Sequence, residues 1–323
     1  MNCFPPYCVA IRTLGKAGEK FTDLINSLKQ QTHPPKAIFV YIAEGYQTPT
    51  QVADEIYISS PKGMVRQRAQ RYDEVSTEYI LFCDDDMYLP SGAVQILFEA
   101  LTGYHADCIA VNAFPNHGMS LAQKIKAGVL YGTLPSFFSR YAFRIRNSSF
   151  YSYAMRPQSV MLTQSFAGAC FLVRKTTFLQ ARCEEECWMD QFPYEQGDDQ
   201  MLSYKMYLGG NVLLVHYDSG IEHRDAKTSH VDSARERFYN NGALRYVIWY
   251  RSVYQTRRSA LAKFYASVCF YTAWFWQFLL SLALWILRIR TYRLRDTVAS
   301  LLYARRYVSS ESFRELPVWQ RCI

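Results

Sequence analysis

Between Tyr7 and Ala43 the sequence sets two short apolar runs on either side of one amphipathic stretch, and this alternation restricts the fold more than any other feature. YCVAI (7–11) and AIFVYIA (37–43) are too short for buried helices and carry no polar alternation, which suits strands covered on both faces. Between them, KFTDLINSLKQQ (20–31) places Phe21, Leu24, Ile25 and Leu28 on one helical face. The unit is strand, helix, strand. The same rhythm continues with strands at 55–59, 79–83 and 106–113 and helices at 64–75 and 91–101, and it predicts an α/β fold with a mainly parallel sheet flanked by helices. Such sheets bind ligands beyond the carboxyl ends of their strands.

One of those ends is unusual. The run EYILFCDDDMYLP closes an apolar strand with Asp84, Asp85 and Asp86. Three adjacent carboxylates repel one another unless solvent, a cation or hydrogen-bond donors offset the charge. A second acidic pair, Asp198 and Asp199 in QGDDQMLSYKMYLGG, opens an expected helix, and NVLLVHY and IEHRDAKTSH follow, the latter carrying His223. Two acidic clusters and a histidine suit one divalent-metal site with a separate general base.

Composition narrows the setting. With 323 residues, half of them apolar, the chain can bury one large core or two modest ones. Nine cysteines without regular close spacing point to a reducing compartment, and Cys183 and Cys187 lack the further ligands of a zinc set. The N-terminal stretch does not read as a signal peptide. From Arg251 onward there are twelve Arg or Lys against three Asp or Glu, so the rest of the chain is near neutral although the whole carries +8. Arg140, Arg144, Arg146 and Arg156 are isolated within that neutral part, which argues against nucleic-acid binding. Phe264 to Leu287 holds 24 residues without a charge, long enough to cross a bilayer. Arginine and lysine flank it on both sides, so no side is marked as cytoplasmic; in-plane helices or a re-entrant hairpin are expected.

The ordered set SLKQQTHPPKAIFVYIAEGY, PKGMVRQRAQRYDEVSTEYILFCDDDMYLP, SFAGACFLVRKTTF and QGDDQMLSYKMYLGG resembles family-two nucleotide-sugar glycosyltransferases with the A-type, Rossmann-like fold, over most of residues 7–250. There are departures: Ala69 stands where an asparagine is common, IRTLGK replaces the usual first-strand run, the usual Glu-Asp pair is Asp198-Asp199, and Lys205 replaces an arginine. The resemblance implies an inverting hexosyltransferase using a nucleotide-sugar donor, UDP-sugar favoured, and Mg²⁺ or Mn²⁺. Asp84, Asp86 and His223 are then expected at the metal, and Thr13, Glu44, Arg68, Asp84 and Asp85 at the donor. Asp199 is expected as the base, with Asp198 orienting it. Residues 1–250 would form the catalytic domain and 251–323 a membrane-associating helical extension on the cytoplasmic face. The acceptor would be a saccharide, lipid-linked, in surface glycan assembly, with the aromatic segment 118–157 as its loop. A metal-dependent nucleotidyl or phosphoryl transferase and a non-catalytic membrane scaffold are the competing readings.

Overall fold

The computed structural model describes residues 4–112, 122, 124–125, 128, 134–136, 138–192, 197–226 and 233–322. It opens with β1 (Tyr7–Thr13), α1 (Glu19–Lys29) and β2 (Ile38–Ala43). Both strands are buried along their whole length, as their uninterrupted apolar sequence requires, and α1 buries Phe21, Leu24, Ile25 and Leu28. Then come β3 (Ile56–Ser60), α2 (Met64–Arg68), β4 (Tyr79–Asp84), the two-residue β5 (Met87–Tyr88), α3 (Ala93–Gly103) and β6 (Cys108–Val111). Three short strands, β7 (Leu134–Ser136), β8 (Phe143–Ile145) and β9 (Tyr151–Ala154), form a small separate sheet. The chain returns to the main sheet through β10 (Val160–Thr163) and β11 (Cys170–Arg174), followed by α4 (Lys175–Gln180) and a 3₁₀ segment, Cys183–Gln191. α5 (Asp198–Leu208), β12 (Leu213–His216) and β13 (Glu222–His223) complete this part.

The main sheet has eight strands in the order β10, β12, β6, β11, β4, β1, β2, β3. β1 pairs in parallel with β2 and β4, β2 with β3, and β12 with β6. β11 runs antiparallel between β4 and β6, and β10 antiparallel to β12. One apolar cluster packs α1 and α3 on one side of the sheet; a second gathers α4, α5 and the C-terminal helices on the other. A mainly parallel sheet between two helical layers is what the alternation predicts.

The helix expected over 64–75 stops at Arg68. Tyr72 causes the break: its backbone takes a positive φ of 52°, and its ring turns into the core edge-on to Tyr41 and Phe82. The phenol donates to the carbonyl oxygen of Arg68 at 2.9 Å, so a side chain satisfies a helix-end acceptor that another helical turn would have used. At the other end, the carboxylate of Asp190 accepts the Val65 and Arg66 amides at 2.8 and 3.1 Å and closes the first turn. Ala113, the end of the expected 106–113 strand, lies outside the described residues, as do 118–121 and other parts of the expected acceptor loop.

C-terminal to this lie α6 (Ala234–Trp249), a π-helical turn over Tyr250–Tyr254, α7 (Ala260–Ile286), α8 (Tyr292–Tyr307) and α9 (Glu311–Arg314). α7 is one continuous helix, about 40 Å long at 1.5 Å per residue. α8 returns along it, tied by the hydroxyls of Ser281 and Thr297 at 3.1 Å, while Asp296 on α8 accepts two bonds from Arg235 on α6 at 2.8 and 3.0 Å. Trp249, Val253, Phe270, Leu301, Phe313 and Trp319 belong to the same apolar cluster as the sheet-covering residues, so the region after Arg251 shares a core with the sheet-bearing part of the chain. Only Ala266, Phe270 and Ser281 of α7 are buried. Its exposed face repeats at helical spacing through Leu261, Phe264, Tyr265, Val268, Phe275, Trp276, Trp285 and Ile286.

Candidate active site

The acidic triplet sits where the topology places it, at the carboxyl end of the central strand β4. Its three side chains diverge because successive residues at a strand end face different ways. Asp84 is the register partner of Arg12 on β1 and forms an ion pair with its guanidinium at 2.6 Å. Arg12 is almost entirely buried and also donates to the carbonyl oxygen of Gly168 at 3.1 Å. Asp85 accepts a hydrogen bond from the Thr13 hydroxyl, which in turn accepts the Gly15 amide at 2.7 Å. The Thr13 hydroxyl thus donates to Asp85 and accepts from Gly15, and it positions Asp85 in this arrangement. Gly15 allows the turn: its φ is +70°, and a side chain there would meet the Gln47 carbonyl oxygen at 2.1 Å.

Asp86 faces the small ribbon of β5 and β13, in which His223 is the register partner of Met87. The imidazole Nε2 lies 3.2 Å from the Asp86 carboxylate, which also accepts the Ala226 amide at 2.8 Å. Burial works against a charged Asp86, yet the imidazole and the amide hold its carboxyl below the usual range. The same contact raises the His223 pKa. Asp84 and Asp85 go the other way: burial pushes each up to about 6, against the pull of Arg12 on the first and the Thr13 hydroxyl on the second.

The second acidic pair opens α5. Arg68, at the end of α2, reaches both carboxylates, with the Asp198 contact at 2.5 Å and a closer one to Asp199. Asp198 is buried and pushed up to about 6, chiefly by that burial, with the positive charge of Arg12 opposing it. Gly168 makes this packing possible, since a methyl group there would lie 2.3 Å from the Asp199 carboxylate and 3.1 Å from the Arg68 guanidinium. We expect Gly168→Ala to push the Asp199 carboxylate aside while leaving the fold intact. A loss of transfer of about 100-fold with an unchanged melting temperature is the expected result, because small misplacements of a reacting group carry costs of that order.

The structure thus joins the two acidic clusters. A chain of contacts runs from Asp84 through Arg12 and the Gly168 carbonyl to the Asp199 and Arg68 pair. Arg68, expected at the donor, forms ion pairs with the two carboxylates that open α5. Glu44 follows β2, is exposed and bonds through its amide to the Ser60 carbonyl oxygen at 2.9 Å. Sequence reasoning missed Arg12 and Gly168: Arg12 is marked only by its pairing across the sheet, and Gly168 only by the approach of a residue 31 positions on.

Divalent-cation chemistry fits part of this set. Among the described residues no three metal-type side chains converge, and Asp84, expected to share a cation with Asp86, is paired with Arg12. Asp86 and His223 do face one another, one oxygen and one nitrogen ligand at the mouth of the strand end. A divalent cation that keeps waters and takes the rest of its ligands from a diphosphate needs no more than one or two protein ligands.

No family model and no curated protein matches the sequence. Solved structures do match, and the fold they share with this chain is that of the A-type glycosyltransferases. The chain is similar to S. aureus TarS 1-349 in complex with UDP-GlcNAc, at 14% identity and a TM-score of 0.52 over 92% of this chain and 79% of that one. It is also similar to GalNAc-T7 with UDP, GalNAc and Mn²⁺, at 11% identity and a TM-score of 0.50 over 83% of this chain. It spans 55% of the GalNAc-T7 chain and 43% of a longer TarS chain.

Proposed function

We propose that the protein is an inverting glycosyltransferase that moves a sugar from a UDP-sugar to a hydroxyl group of a saccharide acceptor. One observation carries this reading: in an A-type fold, two separate acidic clusters are brought to one strand-end site, with Arg12 and Gly168 joining them. One cluster suits the donor diphosphate and the other the acceptor hydroxyl. Asp86 and His223 would hold Mg²⁺ or Mn²⁺, which offsets the charge that the leaving diphosphate gains. Asp85, set by Thr13, would face the nucleoside side of the donor, with Glu44 at the rim. The acceptor oxygen attacks the anomeric carbon as the bond from that carbon to the phosphate oxygen breaks. Its proton passes to Asp199, and the nucleoside diphosphate departs on the opposite face, so configuration inverts. Arg68 orients the Asp199 carboxylate, and Asp198 shares that guanidinium.

Residues 1–250 would carry the chemistry and 251–323 the attachment to a membrane, as a division of function within one continuous core. The exposed apolar face of α7, next to a cationic C-terminal quarter, supports a monotopic protein acting on a lipid-linked acceptor in surface glycan assembly. The cytoplasmic face is the side on which nucleotide sugars would reach it.

A thermal-shift screen of nucleotides and UDP-sugars with Mn²⁺ tests the donor assignment. A ligand at 100 times its Kd stabilises the native state by about 2.7 kcal/mol, so UDP with Mn²⁺ is expected to raise the melting temperature and a nucleoside triphosphate alone is not. A shift produced by triphosphates and absent with UDP would transfer the assignment to nucleotidyl or phosphoryl transfer.

A further inference from the structure

A cavity of about 600 Å³ opens between the π-helical turn and the C-terminal segment. Gln255, Thr256, Arg257 and Arg258 line one wall, and Val318 to Cys322 the other. Arg257, Arg258 and Arg321 bring three guanidinium groups to it. Among the described residues no carboxylate lies within ion-pair distance of Arg257 or Arg258. Arg257 donates to the Asn147 side-chain oxygen at 2.6 Å, and Arg258 to the Arg321 carbonyl oxygen at 3.2 Å, so the acceptors that steer both are neutral ones. Among the described residues the buried Arg257 Nε and Gln255 Oε1 atoms find no hydrogen-bond partner, one donor and one acceptor on the same wall. Concentrating cations in a half-buried cavity costs free energy unless an anion enters.

The cavity's position suggests which anion. Ser259 caps α7 immediately after Arg258, and the apolar stripe begins at once with Leu261 and Phe264, which are 77% and 67% exposed. A phosphate bound here would sit where an apolar surface starts. The opposite wall is held in place from behind: the Cys322 amide donates to the Leu208 carbonyl oxygen at 2.9 Å, and the Trp319 indole to Glu186 at 2.8 Å.

We propose that this cavity binds the phosphate of an anionic membrane phospholipid, with Arg257 and Arg258 as its ligands, while the exposed stripe of α7 lies in the acyl layer beside it. The proposal deepens the membrane attachment put forward above and rests on it. It is tested without donor or acceptor, so it stands or falls separately from the transferase reading. The full chain is floated with phosphatidylcholine vesicles, with and without phosphatidylglycerol.

Wild-type protein is expected to bind both and to prefer the anionic vesicles. Arg257→Gln with Arg258→Gln is expected to lose that preference, roughly 30-fold for two cations near an anionic surface, and to keep its binding to phosphatidylcholine through α7. Arg290→Gln with Arg295→Gln, in the turn after α7 and the first turns of α8, is the control for diffuse charge, and unchanged melting curves establish that both variants fold. Wild-type preference in the cavity variant, or an equal loss in the control, would overturn the site. So would an arginine-dependent preference seen only when phosphatidylglycerol is replaced by a polyprenyl phosphate, because the phosphate would then belong to the acceptor and not to the bulk lipid.

Discussion

Asp199→Asn is expected to bind UDP with Mn²⁺ as the wild type does and to lose transfer by roughly 10²–10⁴-fold, the range over which a positioned base contributes. Asp86→Ala is expected to fail earlier, at donor binding. Asp86 faces His223 and the Ala226 amide across the β5–β13 ribbon, so its removal takes away one of two facing metal-type ligands. Even an outer partner of a metal ligand is worth about 10–100-fold in affinity, and the loss at Asp86 should be about 100-fold or more. Titration calorimetry of UDP with Mn²⁺ separates the two variants, because one role concerns the diphosphate and the other the acceptor proton. Undiminished transfer by Asp199→Asn would remove it from the role of base. The pH profile follows from their neighbours: with Asp84, Asp85 and Asp198 raised to about 6, transfer that needs them ionised is expected to fall as pH drops through about 6.

The second large effect lies away from the chemistry, at Glu186. Its carboxylate is fully buried and accepts two bonds from Arg251 at 2.8 and 2.9 Å, one each from the indoles of Trp188 and Trp319 at 2.8 Å, and one from Lys205 at 2.8 Å. Burial alone would raise its pKa. The guanidinium and ammonium groups overcome that and hold it at about 2. The node joins the 3₁₀ segment, helix α5 through Lys205, the start of the C-terminal region at Arg251 and its end at Trp319.

Glu186→Gln leaves the buried Arg251 guanidinium without its counter-charge, and stability is expected to fall by about 3–5 kcal/mol in chemical denaturation. Replacing both partners, as in Glu186→Gln with Arg251→Met, should recover part of the loss, because the unpaired charge is then gone. A depressed carboxyl pKa stabilises the native state above the unfolded value of 4.5 and loses that contribution as pH falls through about 2. The difference between wild type and Glu186→Gln should therefore shrink between those limits. A loss under about 1 kcal/mol at neutral pH would show that the node is not a principal brace.

The sheet was legible in the sequence because its determinants are local. Uninterrupted apolar runs such as YCVAI and AIFVYIA have no stable home except strands covered on both faces, and Phe21, Leu24, Ile25 and Leu28 mark the helix between them by spacing alone. The acidic triplet and the Asp198-Asp199 pair were legible for a related reason: repelling carboxylates at element ends stand out against an apolar background. Their partners were not legible. Arg12 meets Asp84 only because β1 and β4 are neighbours in register, Gly168 matters only because Asp199 arrives against it, and Arg68 reaches α5 only because Tyr72 ends α2. The C-terminal quarter divides in the same way. Its length and lack of charge marked α7 as an apolar helix, but the return of α8 and the bonds at Glu186 join it to the core beneath the sheet. Periodicity and charge act within a few residues of chain and can be read from order alone, whereas register, close approach and burial of a charge depend on residues as far as 156 positions apart and exist only once the chain has closed on itself.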